Sequence, residues 1–311
     1  MGNTYVAYGL KINSFCALPG MEAENEILPP YDINILLGFK DGKKPSSSEF
    51  KKLSIYLSFH VFWSEKYYEV RNQNHWKIWV SSDGANIIVD DESKDMTEAI
   101  NSILNTGLGL CLTLKGYLIF HAAAFAYGDK VSGIVGDSGK GKSTTIFNCL
   151  CHDLLFLTDD LLPIKLKDKY MAYPSMNIQM KLNLKSLRHF IDSKQIHKRV
   201  RRGSDKYWIS IPKSKRLMSE KPIYKLYFLD PYLSQDNGTI YSSEEILDIK
   251  VKKRYLYNHS FGVYLLSLAD KRRVFTEISN FANSIKIYNL RYSKNFETMD
   301  MIVDNIFKGS R

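Results

Sequence analysis

Little in this sequence points to an oxidising environment or to a membrane. Its 311 residues include four cysteines, Cys16, Cys111, Cys149 and Cys151, and none of them forms a C-x-x-C pair. Thiols this sparse exclude a disulfide-scaffolded miniprotein and suit a reducing compartment. Cys149 and Cys151 have no second Cys/His pair at ligand spacing, which argues against a structural zinc site. Long apolar runs are also missing. The longest weakly charged stretch, Ala99 to Tyr127, is broken by Asn101, Ser102, Asn105, Lys115 and His121, and its centre is glycine-rich. The N-terminus has no basic segment leading into an apolar one, which argues against secretion. Its Met-Gly opening has Val6 where a myristoylation signal wants Ser or Thr. A cytoplasmic protein without membrane attachment is expected, and no internal repeat is visible.

What is present is the composition of a folded chain. Apolar residues make up 44% and charged residues 24%, enough for a sizeable core and incompatible with wholesale disorder or collagen-like repeats. At about 150 residues per domain, the length allows one large domain or two ordinary ones. Lysine and arginine (43) outnumber aspartate and glutamate (33), giving a net charge of +10. An anionic partner follows from that balance, and nucleotide, nucleic acid, acidic peptide and membrane surface all satisfy it.

The first 110 or so residues predict short strands at Tyr31–Gly38, Leu53–Trp63, Trp76–Ser81 and Asn86–Asp90, rich in β-branched and aromatic residues. Asp41–Ser48 (DGKKPSSS) reads as a loop. Asp95 to Leu114 carries Met96, Ile100, Ile103, Leu104, Leu108 and Leu112 at helical spacing, and this helix is the expected junction between residues 1–110 and 111–311. Beyond it, strands are expected at Tyr117–Tyr127 and Lys130–Val135, then a glycine-rich loop and a helix from Lys142 to Leu150. A buried-type strand, Leu154–Leu157, is expected to end at Thr158-Asp159-Asp160, with a hairpin after it at Leu161–Leu166 and Tyr170–Tyr173. Ile223–Asp230 and Lys286–Tyr292 read as strands, and Phe261–Ile285 and Phe296–Phe307 as helical. The expected fold class is α/β: a P-loop domain of mixed sheet and helices behind a β-rich N-terminal domain.

Three features carry chemistry. Gly136-Asp137-Ser138-Gly139-Lys140-Gly141-Lys142-Ser143 fits G-x-x-x-x-G-K-[ST], with an apolar strand before it and a helix after it. Glycines let successive backbone N–H groups converge on phosphates, and the helix N-terminus adds its partial positive charge. In such a loop Lys142 reaches the β- and γ-phosphates, the Ser143 hydroxyl joins a Mg²⁺ shell, and Thr144 completes the binding run. A nucleoside triphosphate, ATP with Mg²⁺, is the expected ligand. The second feature is Asp159-Asp160, with Asp160 seventeen residues beyond Ser143. A short helix, a tight return and a short strand bring such a pair beside the γ-phosphate, where a carboxylate accepts a proton or binds the metal. A surface turn or helix cap is the alternative. The third is His121, twenty-two residues before Ser143 and on a strand that turns into the one feeding the loop. A satisfied core histidine is the plainer reading of that residue alone.

Taken together, His121, the GDSGKGKS loop and the L-T-D-D run from Leu157 to Asp160 resemble the catalytic domain of the HPr kinase/phosphorylase family, related in fold to ATP-dependent phosphoenolpyruvate carboxykinase. The resemblance covers residues 115–185. It implies that Lys142 binds phosphate, that Ser143 and Asp160 serve the metal, that Asp160 accepts the proton of the target serine with Asp159 beside it, and that His121 is catalytic. The family's M-E-V-R-G-L-G segment is replaced here by YPSMNIQMKL (Tyr173 to Leu182), without Glu, and its late P-V-x-x-G-R-N motif is missing. These departures argue against phosphorylase activity and against HPr as the substrate. With its β-rich N-terminal part and late Leu290-Arg291-Tyr292, the chain looks more like stand-alone HPr-kinase-like proteins of lasso-peptide biosynthesis, which phosphorylate the C-terminal serine of a precursor peptide. The family's six-fold assembly leaves a homo-oligomer open.

The basic stretch from Lys194 to Lys206 includes His197, Lys198, Arg199, Arg201 and Arg202. It reads as a solvated loop or as a grip on triphosphate or a peptide carboxylate, with Arg199, Arg201, Arg202 and Lys206 as candidate substrate contacts. No RNA- or DNA-binding module accompanies it, which argues against nucleic acid. A kinase for a free small molecule such as serine, and a nucleotide-gated regulator without catalysis, remain the rival readings.

Overall fold

The computed structural model describes residues 2–24, 27–56, 59–72, 75–152, 154–175, 179–190, 199, 205–232, 241–293 and 296–308. Two compact units divide the chain: Met1–Ile119 with Ser260–Ser279, and Phe120–His259 with Asn280–Arg311. Both mix sheet and helix. Among the described residues, no helix is long and apolar enough to cross a membrane.

In the first unit, eight strands form one sheet: β1 (Asn3–Ala7), β2 (Leu10–Ser14), β3 (Ile33–Leu37), β4 (Lys51–Tyr56), β5 (Phe59–Trp63), β6 (Tyr67–Asn72), β7 (Trp76–Ser81) and β8 (Asn86–Val89). Their order is β1-β2-β3-β8-β7-β6-β5-β4, parallel at β2–β3 and β3–β8 and antiparallel elsewhere. Alternating Ile12, Ile33, Ile35, Val61, Val70, Ile78 and Ile87 are fully buried, as a half-buried sheet requires. The expected single strand at Leu53–Trp63 is instead an antiparallel pair, β4 and β5, with Tyr56 opposite Phe59. The expected junction helix starts at an Asp95 cap, whose side chain accepts from the Glu98 N–H at 2.9 Å. It runs as α1 (Met96–Ser102), a π-helical turn (Ile103–Gly107) and α2 (Leu108–Leu114).

The Ser260–Ser279 segment completes this unit. Asp270, in its helix, accepts hydrogen bonds from the Tyr68 hydroxyl (2.5 Å) and the Ser267 hydroxyl (2.7 Å). Arg273 donates to the Thr113 carbonyl at 3.0 Å.

The second unit opens within β9 (Leu118–Tyr127), from Phe120 on, and continues with β10 (Lys130–Val135), α3 (Lys142–Leu150), β11 (Leu155–Leu166), β12 (Tyr170–Ala172), β13 (Gln179–Asn183), α4 (Leu184–Phe190), β14 (Lys206–Ser210), β15 (Lys221–Tyr232), β16 (Tyr241–Glu245) and α5 (Ile249–His259). It closes with the end of α6 (Leu268–Ser284), β17 (Lys286–Ser293) and α7 (Phe296–Lys308). Seven strands lie in the order β10-β9-β11-β12-β15-β17-β16, and a parallel β10–β15 pairing joins the first strand back to the fifth. β13 and β14 form a separate antiparallel ribbon. Ile146 and Cys149 of α3 and Met299, Ile302 and Val303 of α7 are buried with Phe125, Ile134, Tyr227 and Leu290 of the sheet and Met180 and Leu182 of the ribbon. That core fixes the start of α3 against sheet and ribbon together.

A second expectation is corrected. The strand expected to stop at Thr158-Asp159-Asp160 runs on to Leu166, so the two aspartates sit inside β11 and not at its end. Their carboxylates are bonded within the protein and need no turn to reach solvent.

Candidate functional site

The glycine-rich loop joins β10 to α3. Gly139 and Gly141 have φ of +84° and +94°, a backbone that side-chain-bearing residues rarely adopt. A Cβ on Gly141 would also lie 2.6 Å from the Met299 methyl carbon. Side chains hold the loop: Lys140 Nζ lies 2.9 Å from Asp137 Oδ2, His259 Nε2 lies 3.9 Å from Asp137 Oδ1, and the Tyr292 hydroxyl donates to the Lys140 carbonyl. Lys142 is buried, and its Nζ donates to the Gly136 carbonyl at 2.6 Å and the Asp137 carbonyl at 3.2 Å. Burial holds its pKa below the usual lysine range.

The hydroxyl after that lysine meets the carboxylate pair. Ser143 Oγ donates to Asp159 Oδ1 at 2.8 Å. The Lys181 N–H donates to Asp159 Oδ2 at 3.3 Å, and its Nζ donates to Asp160 Oδ2 at 2.8 Å. Asp159 is pushed up to about 6, first by burial and then by the charge of Asp160. His121, on β9 beside β11, is lowered by burial and further by Lys142.

These groups share one cavity of about 400 Å³. Of the residues singled out in the sequence, its wall includes His121, Ser138, Gly139, Gly141, Lys142, Ser143, Thr144, Asp159, Asp160 and Lys206. Gly136, Asp137 and Lys140 shape the loop without lining the cavity. Arg199 stands off the wall, its Nε donating to the Tyr207 hydroxyl at 2.9 Å. Arg201 and Arg202, with Lys194, His197 and Lys198, lie outside the described residues.

The wall also holds Lys181, Asn183, Lys185, Ser186, Asp205, Phe296 and Met299, which motif reading did not find. For Lys181 and Asn183 a signal exists: Gln179–Asn183 alternates half-buried with buried residues, so Gln179, Lys181 and Asn183 share one face of a strand. Among the described residues, no group of three or more His, Cys, Asp or Glu could hold a metal ion unaided. The oxygens of Ser143, Asp159 and Asp160 are nonetheless the hard donors that Mg²⁺ takes, usually in company with substrate phosphates.

No family model matches the chain, and no curated protein does. Among solved structures it is similar to the Hpr(Ser) kinase/phosphatase from Coxiella burnetii, at 11% identity and a TM-score of 0.29, covering 62% of this chain and 92% of that one. A likeness this remote assigns neither a family nor an activity.

Proposed function

We propose that this chain is a phosphotransferase that moves the γ-phosphoryl group of ATP, with Mg²⁺, onto a serine hydroxyl near the C-terminus of a small peptide, a lasso-peptide precursor being the type of acceptor. The observation that carries the reading is the 2.8 Å Ser143–Asp159 hydrogen bond, in a cavity whose wall also includes Lys142, Asp160 and His121. Nucleotide binding alone would need neither the second aspartate nor the histidine.

Each residue then has a task. The loop's N–H groups and the start of α3 take the phosphates, and the Lys142 ammonium exchanges its two loop carbonyls for β- and γ-phosphate oxygens. Ser143 and, because its carboxylate meets that hydroxyl, Asp159 rather than the expected Asp160 would hold Mg²⁺, which when bound neutralises charge on those oxygens. Asp160 accepts the hydroxyl proton of the acceptor as its oxygen bonds to the γ-phosphorus, and the bond to the β–γ bridging oxygen breaks to release ADP. Lys181 fixes Asp160 in place. Neutral His121 supplies a hydrogen bond to the entering hydroxyl. Lys206 gives the cavity positive charge for an anionic group on the acceptor, such as a terminal carboxylate.

The test is phosphoryl transfer from γ-labelled ATP to a peptide ending in serine, to its C-terminal amide and to free serine. The peptide acid is expected to be the best acceptor, and the amide about ten- to a hundredfold poorer, the worth of one charge-assisted contact. Equal rates on acid and amide would remove the carboxylate grip, and a preference for free serine would move the acceptor to a small molecule. Lys142→Ala is expected to abolish ATP·Mg²⁺ binding in a folded protein; unchanged affinity there would overturn the phosphate-loop assignment.

A further inference from the structure

Among the described residues, the cavity wall carries one phenyl ring, that of Phe296 at the start of α7. The ring is braced. His189 stacks on it with centroids 3.8 Å apart and planes 6° from parallel, and Phe190 meets it edge-on at 5.8 Å. Phe147 of α3 in turn packs on Phe190 at 5.6 Å. His189, Phe190 and Phe147 hold the ring without themselves lining the cavity. Phe296 thus places part of a braced ring on a wall made mostly of polar residues.

Its position relative to the loop matters as much. Three residues along α7, on the same side of the helix, Met299 also lines the cavity, and its methyl end approaches Gly141 where α3 begins. Phe296 therefore stands beside the phosphate loop and on the wall the loop shares. Lys185, exposed and also on the wall, holds its ammonium 5.7 Å from the ring centroid.

We propose that Phe296 is the stacking platform for the base of the nucleotide, with Met299 against the base or its sugar and Lys185 available to acceptor atoms on the base's edge. The inference rests on the nucleotide reading of the loop and adds where the base goes. Stacking accepts any base because every base has a π face, so ATP and GTP should bind with similar affinity.

Binding is measured by calorimetry with ATP and with inorganic tripolyphosphate, which has the charge and no base. In the wild type, ATP is expected to bind about tenfold or more tighter than tripolyphosphate. Phe296→Ala is expected to erase most of that margin while shifting tripolyphosphate by less than about twofold, and Phe296→Tyr to keep it. Equal affinities of wild type for the two ligands, equal losses for both in Phe296→Ala, or an unchanged ATP affinity would overturn the platform. Equal wild-type affinities would overturn the platform even if Phe296→Ala fails to fold, and Phe296→Leu, which keeps apolar bulk without the ring, then assigns the margin. A wild type that binds neither ligand, or a folded Lys142→Ala variant that binds both as before, would instead overturn the loop reading on which the platform stands.

Discussion

Asp159 and Asp160 are chain neighbours with different partners. Asp159 takes the Ser143 hydroxyl and the Lys181 N–H, and Asp160 takes the Lys181 ammonium. An asparagine at either position keeps the shape and removes the charge, so the pair can be separated by experiment. Asp160→Asn is expected to bind ATP normally and to transfer about a hundredfold more slowly, the usual worth of a positioned base, as read by single-turnover assay beside an ATP titration. Loss of binding instead would make Asp160 chiefly a metal ligand. Asp159 has a signature in stability. Raised from 3.8 to about 6, it keeps a proton in the folded chain over pH values at which the unfolded chain has released it. The folded state binds more protons in that window, so stability is lost as pH rises through it and the loss persists above. In chelator, the melting temperature of Asp159→Asn relative to wild type should climb between pH 4 and 6 and then level off; a flat difference would show that burial does not burden this carboxylate.

Elements show why part of the site could be read and part could not. The loop was legible because its positive-φ turns demand glycines at fixed offsets, and the strand and helix around it fall where the residues predict them. The length of β11 was not, since Thr-Asp-Asp ordinarily ends a strand, and both the pairing with β9 and the carboxylates' partners Ser143 and Lys181 come from distant sequence. α5 buries Leu256 and little else, so it lacks the apolar stripe that betrays a helix, and β16 (YSSEE) has no buried face to alternate. Lys185 and Phe296 belong to the site through tertiary packing alone. For the loop itself, Gly141→Ala forces a side chain into φ +94° at a cost of about 1–2 kcal/mol and pushes on Met299. Thermal melts should drop by roughly 2–8 °C, with weaker ATP binding. Gly128→Ala, at φ +55° with open space around it, should lower stability and leave ATP affinity alone.

At the scale of the whole molecule, the N-terminal unit depends on a segment nearly two hundred residues further along the chain. Tyr68 is fully buried, and its hydroxyl ends on Asp270. Asp270→Ala should therefore destabilise by about 1–3 kcal/mol, the cost of stranding a buried donor, and Tyr68→Phe in the same background should recover part of it. Urea unfolding of the four combinations measures the coupling, and additive effects would show that the contact contributes nothing.

The same dependence sets an order of events at the ribosome. The first 119 residues emerge without Ser267, Asp270 and Arg273, which lie in Ser260–Ser279. At about 5–20 residues per second, those partners arrive on the order of ten to thirty seconds later. By then most of the unit that holds the glycine-rich loop has been synthesised. The part of the protein made first is thus the part whose closing segment arrives late, and a nascent chain stalled before residue 260 would present a sheet with all its strands but without that segment to chaperones and proteases.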